Sequence, residues 1–375
     1  MRIVQLVTNL DTGGLERLAF DLACCQLADG HHPMIYCLNH SGRLAEEAAD
    51  LGICVRSFGK AAGPHLSTVF KMAEQFRLDR PDVLHTHNHL VHHYGVAAGV
   101  LAGIPVIVNT RHRAEQHLVV APGGSYMSPA TKDWKSDWIF RATLPWVGSV
   151  VMISESTRQF FVQHRGIPPA KTRVILNGAH LERFLDAPAL PGSVPGRVRF
   201  GIAARLVREK DHFTLLRAFA AVVTELPGAE LRIAGDGPMR DRLEEFTKEL
   251  NLTSHVTFLG SLSDTPKFLS ELDIFVLSSM TEGMPLSILE AMAAGLPVVS
   301  TRAGGVEEAV DEGQNAYLAE PGDSNGLAHA MLRMARAPDL AQLGALGRQI
   351  VQDRFRIEQT WRGYYKLFLS LGAKS

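Results

Sequence analysis

The chain has 375 residues, of which 46% are hydrophobic and 21% charged, and its formal net charge is −1. This length exceeds what one ordinary hydrophobic core holds, so two domains are expected. The neutral charge balance excludes a dedicated nucleic-acid binder, which would carry a basic face. No run of about 18 apolar residues occurs, so no membrane-spanning helix is expected, whereas peripheral attachment to a membrane stays open.

All four cysteines lie between Cys24 and Cys54, and none forms a C-x-x-C pair. We interpret them as reduced core thiols of a cytoplasmic protein. The first residues, MRIVQLVTNLD, have the pattern of a strand and lack the long apolar core of a signal peptide.

In the first half of the chain, short apolar runs alternate with amphipathic stretches, which is typical of a parallel α/β architecture. Strands are predicted at 2–8, 32–38, 54–58, 82–87, 105–110, 149–154 and 172–177. Helices are predicted at 14–28, 42–51, 66–79 and 90–102. The stretch 113–140 is interpreted as a surface loop with a partly buried helix, and the alternative is a mobile acceptor-binding lid.

A Pro/Gly-rich stretch at 184–197 is the predicted linker, after which the α/β pattern restarts. Strands are predicted at 198–204, 230–235, 255–260, 273–278, 297–301 and 316–320. Helices are predicted at 211–225, 238–250, 264–270, 285–294, 305–311, 323–335, 338–352 and 357–371. The predicted fold class is therefore α/β, with two doubly wound, Rossmann-like units. Such units are expected to bind a ligand in a cleft, at the carboxyl ends of their strands.

The helix predicted at 285–294 is apolar except for Ser287 and Glu290, with Pro285 suited to its first turn. A helix that is apolar nearly all round is typically buried, so Glu290 is expected to be buried and to find hydrogen-bond donors. Its two oxygens suit a vicinal diol such as that of a ribose. A core salt bridge is the alternative.

Two further features point to a bound anion in the second half. Glu282 precedes the helix in a loop with Gly283, where backbone N–H groups and the helix dipole favour a phosphate. Arg205 and Lys210 follow the first strand of this half, and two cations there can neutralise a diphosphate. The alternatives are an ordinary acidic residue at a helix start and solvated surface cations.

The first half offers polar groups at its own strand ends. Gly13 and Gly14 could let the backbone approach a phosphate or sugar, although a tight turn explains them equally well. They do not form the G-x-G-x-x-G of a dinucleotide-binding fold. His112, between Arg111 and Arg113, follows the fifth predicted strand and could face the same ligand, or it could be an ordinary loop histidine.

The segment HTHNHLVHH at 85–93 raises the possibility of a metal site. A catalytic metal site usually adds carboxylates or other supporting partners, and no acidic residue occurs from 83 to 114. We therefore favour hydrogen-bonded histidines at a buried strand end, and predict no metal site.

Together, these pieces resemble a known family. The segment EGMPLSILEAMAAGLPVVST resembles the E-x7-E signature of retaining glycosyltransferases of family 4, which have the two-domain GT-B fold. DTGGLE, PDVLHTH, IPVIVNTRH, VILNGAHLERF and AARLVREKD resemble further segments of the family in the expected order. Two positions depart from it: Ala179-His180 stand where Val-Asp is usual, and Glu307 stands where Pro is usual.

The resemblance implies domains at 1–183 and 198–354, with the helix at 355–375 packing back on the first. The alternative is that this helix forms a self-contained cap on the second domain. It implies that Glu290 holds the ribose, Arg205 and Lys210 neutralise the leaving diphosphate, and Glu282 faces the donor sugar. The remaining implied donor-site residues are His112, Gly13, Gly14, Val256, Leu259, Gly283, Met284, Pro285 and Leu286. Of these, His112 would contact the transferred sugar, and Val256 to Leu259 would flank the base.

The predicted function is retaining transfer of a sugar from a nucleotide sugar, with a UDP-sugar favoured, to an acceptor hydroxyl. The acceptor is left open between a glycan, a lipid-linked and a small-molecule species, in surface polysaccharide, lipopolysaccharide or glycolipid assembly. No cofactor is expected, and the inner face of the cell membrane is a candidate location. The alternatives are a nucleotide-sugar epimerase or hydrolase, a metal-dependent hydrolase using 85–93, and a sugar-nucleotide sensor without catalysis.

Overall fold

The computed structural model describes residues 1–11, 13–112, 119–120, 126–127, 134–185, 196–262 and 264–374. The strands are β1 Arg2–Val7, β2 His32–Cys37, β3 Cys54–Ser57, β4 Val83–His87, β5 Val106–Arg111, β6 Val119–Val120, β7 Tyr126–Met127, β8 Ser149–Met152, β9 Thr172–Val174, β10 Val198–Ala203, β11 Ala229–Ala234, β12 Val256–Gly260, β13 Ile274–Leu277, β14 Val298–Thr301 and β15 Ala316–Ala319. The helices are α1 Gly14–Ala28, α2 Leu44–Asp50, α3 Leu66–Asp79, α4 His89–Ala102, α5 Trp134–Thr143, α6 Glu155–Arg165, α7 Glu182–Leu185, α8 His212–Glu225, α9 Arg240–Glu249, α10 Thr265–Ser270, α11 Leu286–Ala293, α12 Val306–Ala309, α13 Ser324–Ala335, α14 Leu340–Arg354 and α15 Ile357–Ser370.

The chain divides into two compact units, of which the first comprises described residues up to His112, 134–178 and 357–374. Its seven-stranded sheet has the order β3-β2-β1-β4-β5-β8-β9, and all of its strand pairs are parallel. Because the chain winds outward from β1 in one direction and from β4 in the other, the strand order reverses between them. In such sheets the carboxyl ends at the reversal are the usual ligand site.

Both faces of this first sheet are covered, which explains its nearly continuous apolar strands. One core contains Val69 and Phe76 of α3, Val91 of α4 and Phe161 of α6, packed on the strands. The opposite core contains Phe20 of α1 together with residues of α2. The sheet is therefore a buried central layer between two helix layers.

The last helix belongs to this first unit and packs against α1. Trp361 of α15 is buried, and its Nε1–H donates to Asp29 Oδ2 over 2.6 Å at the end of α1. Tyr364, on the next turn, is also buried and hydrogen-bonds Thr110 of β5. The C-terminal aromatic residues thus complete the core around the middle of the sheet.

The second unit comprises the described residues of 115–130, namely 119–120 and 126–127, together with 179–185, 196–262 and 264–356. It contains a six-stranded sheet of order β12-β11-β10-β13-β14-β15. The strand pairs of this sheet are parallel, so all its strands end at one edge. Here the strand order reverses between β10 and β13, and the loops after these two strands flank the reversal.

The predicted strands and helices of both halves are confirmed to within a few residues at each end. The predicted boundaries at 183 and 355 lie a few residues from the observed division at 178/179 and 356/357. Most of the predicted linker at 184–197, and most of the stretch considered as a lid at 113–140, lie outside the described residues. No helix in the described part of the chain is long and apolar enough to cross a membrane.

Several histidines are buried in these cores without a charged partner. Burial lowers the pKa of His85 on β4 to about 3 and that of His212 at the start of α8 to about 4. Burial also holds the pKa of His92 on α4 well below its ordinary value, and its Nε2 lies 2.8 Å from Thr143 Oγ1. Neither ring nitrogen of His212 has a hydrogen-bond partner among the described residues. These imidazoles are therefore neutral in the folded protein.

We expect acid to destabilise the fold through these histidines. The unfolded chain binds a proton at His85 and at His212 below about pH 6.5, whereas the folded chain does so only near pH 3 and pH 4, so stability rises with pH between these values. Lowering the pH from 7.5 to 5.5 should reduce the free energy of unfolding by about 1.4 kcal/mol for each such histidine. Denaturant unfolding of the second unit at several pH values measures this for His212.

The variant His212→Leu should show a correspondingly shallower loss of stability at low pH. His329→Gln is the matched control, because His329 is exposed in the same unit. Identical pH dependence in the His212→Leu and parent proteins would contradict the assignment of His212 as a neutral buried group.

Candidate functional site

The second unit places an ion pair at the reversal of its strand order. Lys210 Nζ, in the loop after β10, contacts Glu282 Oε1, in the loop after β13, and both side chains are largely buried. Ser279 Oγ donates to the same carboxylate oxygen over 2.6 Å. Ser278 Oγ donates to the backbone carbonyl of Lys210 over 2.8 Å. The ends of β10 and β13 are therefore tied together by side chains that are far apart in sequence.

The backbone around Glu282 depends on a glycine in the loop after β14. Gly304 has φ +59°, and a Cβ at this position would overlap the carbonyl oxygen of Glu282. Thr301 Oγ1 donates to the carbonyl of Ser279 over 2.6 Å. The loops after β13 and β14 thus pack at a distance that only glycine allows.

Arg205 lies in the loop after β10, is exposed, and has no ion-pair partner in the described part of the chain. Its neighbours are fixed, because Ala204 N–H donates to Ala234 O and Leu206 N–H donates to Asp236 O, each over 3.0 Å. Gly235 has φ +132° and makes room for the carbonyl of Ala204. A rigid backbone therefore carries a guanidinium that is open to an anion.

Helix α11 begins after Pro285, and its side chains Ile288, Leu289 and Met292 are buried. Glu290 is half-buried, so the expectation that it is buried is wrong. The physical reason is that Leu286, Ser287 and Glu290 share one face, at helical spacing, which the core leaves partly exposed. The apolar composition of the helix did not reveal that one face stays open.

The other predicted donor-site residues of this unit differ in how far they are buried. Gly283, Met284 and Pro285 are buried beside the ion pair, and the first N–H groups of α11 follow them. Leu259 is exposed near the carboxyl end of β12. Val256 is buried at the amino end of the same strand, about 10 Å from Leu259 at the usual rise per residue. Of this pair, Leu259 is the residue at the same edge as the ion pair.

In the first unit, Gly13 precedes α1 and Gly14 is the exposed first residue of that helix, which is the element after β1. A Cβ at Gly13 would overlap the carboxylate of Glu16. His112 is half-buried at the end of β5, and Arg113 lies outside the described residues. Gly14 therefore begins the helix that follows β1, and His112 follows β5, with β4 lying between these two strands in the sheet.

His112 is part of a hydrogen-bonded network. His87 Nδ1 lies 2.9 Å from His112 Nε2, and His87 Nε2 lies 2.7 Å from Gln5 Oε1. His85 Nε2 lies 2.7 Å from Thr110 Oγ1. Burial and the Arg111 charge lower the pKa of His112 to about 3, and burial holds that of His87 well below its ordinary value. Both are neutral hydrogen-bonding groups.

The segment 85–93 does not assemble a metal-binding set among the residues that the structure describes, where no group of three His, Cys, Asp or Glu side chains could hold an ion. His85 and His87 lie on β4, whereas His89, His92 and His93 lie on α4. His93 Nε2 lies 3.1 Å from His89 Nε2. No described arrangement favours the metal-dependent hydrolase.

Three residues of these sites were not among the sequence predictions: Ser279, Gly304 and Gln5. Gln5 had a visible signal, since it is the one uncharged polar residue within the apolar strand RIVQLV. Ser279 and Gly304 stand in polar or glycine-rich loops that give no partner from sequence alone.

Two departures from the expected sequence pattern form local contacts in the second unit. Glu307 Oε1 accepts from Arg302 Nη1 over 2.8 Å, at the start of α12. Ala179 N–H donates to the carbonyl of Phe355, and His180 Nδ1 lies 3.2 Å from Glu182 Oε2. Neither departure contacts Lys210 or Glu282.

Comparisons with known proteins agree with this architecture. Residues 12–183 match the family model described as Glycosyltransferase Family 4, and residues 197–337 match that described as Glycosyl transferases group 1. The structure of Anabaena HepE in complex with UDP and glucose has a TM-score of 0.80 at 21% identity, covering 99% of this chain and 100% of that one. The fold prediction, two Rossmann-like domains of the GT-B type, is confirmed.

Two relatives differ in the acceptor that their names state. The chain is 34% identical over 155 residues, 41% of its length, to the N-acetyl-α-D-glucosaminyl L-malate synthase of Bacillus anthracis. It is 26% identical over 283 residues, 72% of its length, to the UDP-Gal:α-D-GlcNAc-diphosphoundecaprenol α-1,3-galactosyltransferase of Escherichia coli. The alignments span 40% and 70% of those proteins. The chain belongs to the group 1 glycosyltransferases of family 4.

Proposed function

We propose that the protein is a retaining glycosyltransferase that moves a sugar from a nucleotide-sugar donor to an acceptor hydroxyl. The observation that carries this proposal is the pair of cations, Arg205 and Lys210, after the first strand of the second unit. They flank the reversal of strand order, where parallel sheets bind ligands. A nucleoside diphosphate is the ligand whose charge matches them.

In the proposed complex, the diphosphate lies against Arg205 and Lys210, near the first amides of α11. Glu290 accepts from the two ribose hydroxyls, for which its half-buried position on the open face of α11 is suitable. Glu282 acts by holding Lys210 and Ser279 in place. Leu259 flanks the base. No metal ion is required in this proposal, because side chains carry the positive charge.

Cleavage of the donor bond leaves an oxocarbenium-like sugar and a diphosphate with additional negative charge. Cations that bind the diphosphate more strongly in the transition state than in the ground state lower the activation barrier of the transfer. The family resemblance implies attack from the face that the leaving group vacates, so the anomeric configuration is retained. The leaving phosphate oxygen then accepts the proton of the acceptor hydroxyl. The family resemblance implies that His112 contacts the transferred sugar.

UDP is the proposed nucleotide, supported by the UDP complex of the HepE relative and by the UDP-galactose in the name of the E. coli relative. The acceptor is a glycan or lipid-linked molecule assembled at a membrane surface, which the diphosphoundecaprenol relative supports. A nucleotide-sugar epimerase or hydrolase is the second candidate in this fold. Donor turnover without acceptor would favour it.

An exposed apolar surface supports the proposed location at a membrane. Eight of the fourteen exposed large hydrophobic side chains in the described residues lie on α3, α4 and α5, which pack side by side. The most exposed are Leu66 at 78%, Leu78 at 70%, Trp138 at 68% and Phe70 at 63%. Helix α4 carries no charged residue. Exposed apolar surface of this kind suits a membrane surface.

The first test is a thermal-shift series with UDP-, GDP- and ADP-sugars, with and without EDTA. We expect UDP-sugars to stabilise the protein most, by about 2.7 kcal/mol at 100 times the Kd. EDTA should leave the shift unchanged. Glu290→Ala should weaken binding of the intact nucleotide but not of one lacking both ribose hydroxyls. Stabilisation by none of the nucleotide sugars would contradict the proposal.

The second test addresses the cations. Lys210→Met should lower kcat by about 10²–10³-fold, because it removes a charge that stabilises the leaving diphosphate. Arg208→Met is the matched control, since Arg208 is an exposed cation in the same turn, and its turnover should be unchanged.

The double variant Lys210→Met/Glu282→Gln separates catalysis from folding. Lys210→Met leaves Glu282 largely buried without its cation, which is strongly destabilising, and the second substitution removes that charge. The double variant should recover Tm but not turnover. Recovery of full turnover would show that the pair is structural and that the role assigned to Lys210 is wrong.

The third test is co-sedimentation with vesicles of phosphatidylglycerol or of phosphatidylcholine. The protein should bind the vesicles, and Phe70→Ser/Trp138→Ser should reduce binding, because both side chains are exposed on the apolar surface. Leu346→Ser is the control, as an exposed leucine of the second unit. Equal sedimentation of the double variant and the parent protein would exclude this surface as the attachment site.

A further inference from the structure

We propose that Gln5 and His87 are positioning residues that fix the tautomer of His112, so that its Nδ1 accepts a hydrogen bond from a hydroxyl of the transferred sugar. This inference rests on the proposed function in assigning the sugar as ligand. The tautomer itself follows from contacts within the first unit and can be measured without turnover.

The three side chains come from three adjacent parallel strands. Gln5 lies on the central strand β1, His87 ends β4, and His112 follows β5. Gln5 and His87 are fully buried, with 0% and 1% of their surface exposed. Water therefore has little access to the two contacts of His87, and the side chains must satisfy one another.

The donor and acceptor of each hydrogen bond can be assigned in order, starting from the amide oxygen of Gln5. Gln5 Oε1, 2.7 Å from His87 Nε2, can only accept, so His87 carries its proton on Nε2. A neutral imidazole has one N–H, which leaves His87 Nδ1 as an acceptor. His112 Nε2, 2.9 Å away, must then donate to it. His112 Nδ1 is consequently unprotonated.

Both rings are neutral. Burial together with the adjacent imidazoles lowers the pKa of His87, and burial with the Arg111 charge lowers that of His112. The ring of His85 lies 4.1 Å from that of His87, centroid to centroid, and so disfavours a proton on either. The tautomer is thus retained over the pH range in which enzymes work.

The outer nitrogen is the one available to a ligand. His112 is half-buried, and its Nδ1 has no hydrogen-bond partner within the described ranges. Its backbone N–H is 3.4 Å from Asn88 Oδ1, which orients the residue at the strand end. An acceptor fixed in this way selects a hydroxyl, as donor, over a group that can only accept.

The orientation of the Gln5 amide decides the direction of both hydrogen bonds in the relay that Gln5, His87 and His112 form. Gln5 Nε2 has no partner among the described residues. Exchanging the amide oxygen and nitrogen would reverse each step and leave His112 with Nδ1–H. The two arrangements predict opposite tautomers, so the experiment distinguishes them directly.

The test is ¹⁵N NMR of protein labelled at histidine, with His112 identified by the signal lost in His112→Asn. We expect His112 to be protonated at Nε2 only, and the signal to become a mixture of tautomers in Gln5→Met. Gln26→Met is the matched control, because Gln26 is a buried glutamine of the same unit outside the relay. It should leave the His112 signal unchanged. Protonation at Nδ1, or an unaffected tautomer in Gln5→Met, overturns the proposal.

Kinetics with a donor sugar and its deoxy analogues provide the second readout. Gln5→Met and His87→Leu should lower kcat by about tenfold, the worth of one hydrogen bond, without raising the KM for the donor. Both variants should also no longer distinguish the donor from the one deoxy analogue that lacks the hydroxyl bound by His112. His87→Asn should restore both properties, since its amide oxygen can accept from His112 Nε2. If His87→Leu still discriminates fully between the donor and its deoxy analogue, the proposed contact of His112 with the sugar is wrong. Absence of turnover in the parent protein would contradict the proposed function, and the NMR result would then decide the tautomer alone.

Discussion

The ion pair between Lys210 and Glu282 is the interaction on which the candidate donor site depends. Removing two charges from water is costly, and an ion pair recovers that cost only with good geometry and further hydrogen bonds. Ser279 supplies one such bond to the carboxylate, and Gly304 lets the next loop close against the backbone of Glu282. The loops after β10, β13 and β14 are thereby fixed relative to each other before any ligand binds.

The buried histidines of the first unit must also find hydrogen-bond partners, but they are neutral. His85, His87 and His92 are all buried, and each has a hydrogen-bond partner that accepts or donates without charge. Neutral imidazoles are less costly to bury than ions, but their hydrogen bonds must be directional to be satisfied. The second unit therefore ties its strand ends together with an ion pair, whereas the first unit connects β1, β4 and the end of β5 through neutral hydrogen bonds.

The sequence allowed most of the fold to be predicted, because parallel strands and their crossover helices have distinct apolar periods. It allowed the positions of Arg205, Lys210 and Glu282 at strand ends to be predicted, but not that Lys210 and Glu282 form an ion pair, since they are 72 residues apart. The burial of Glu290 was predicted wrongly because composition shows how apolar a helix is, not which face its neighbours cover. Gln5 was missed because a lone polar residue in a strand gives no partner until the strand order is known.

The charge available to a diphosphate is smaller than the number of cations at this edge suggests. Arg302, after β14, is already paired with Glu307 and Glu312, over 2.8 and 2.6 Å. Lys210 is shared with Glu282, whereas Arg205 has no ion-pair partner in the described residues. A bound diphosphate would therefore meet Arg205 first and compete with Glu282 for Lys210. In the proposed reaction, negative charge growing on the leaving group would shift that competition toward the phosphate, so Arg205 and Lys210 would contribute more in the transition state than in the ground state.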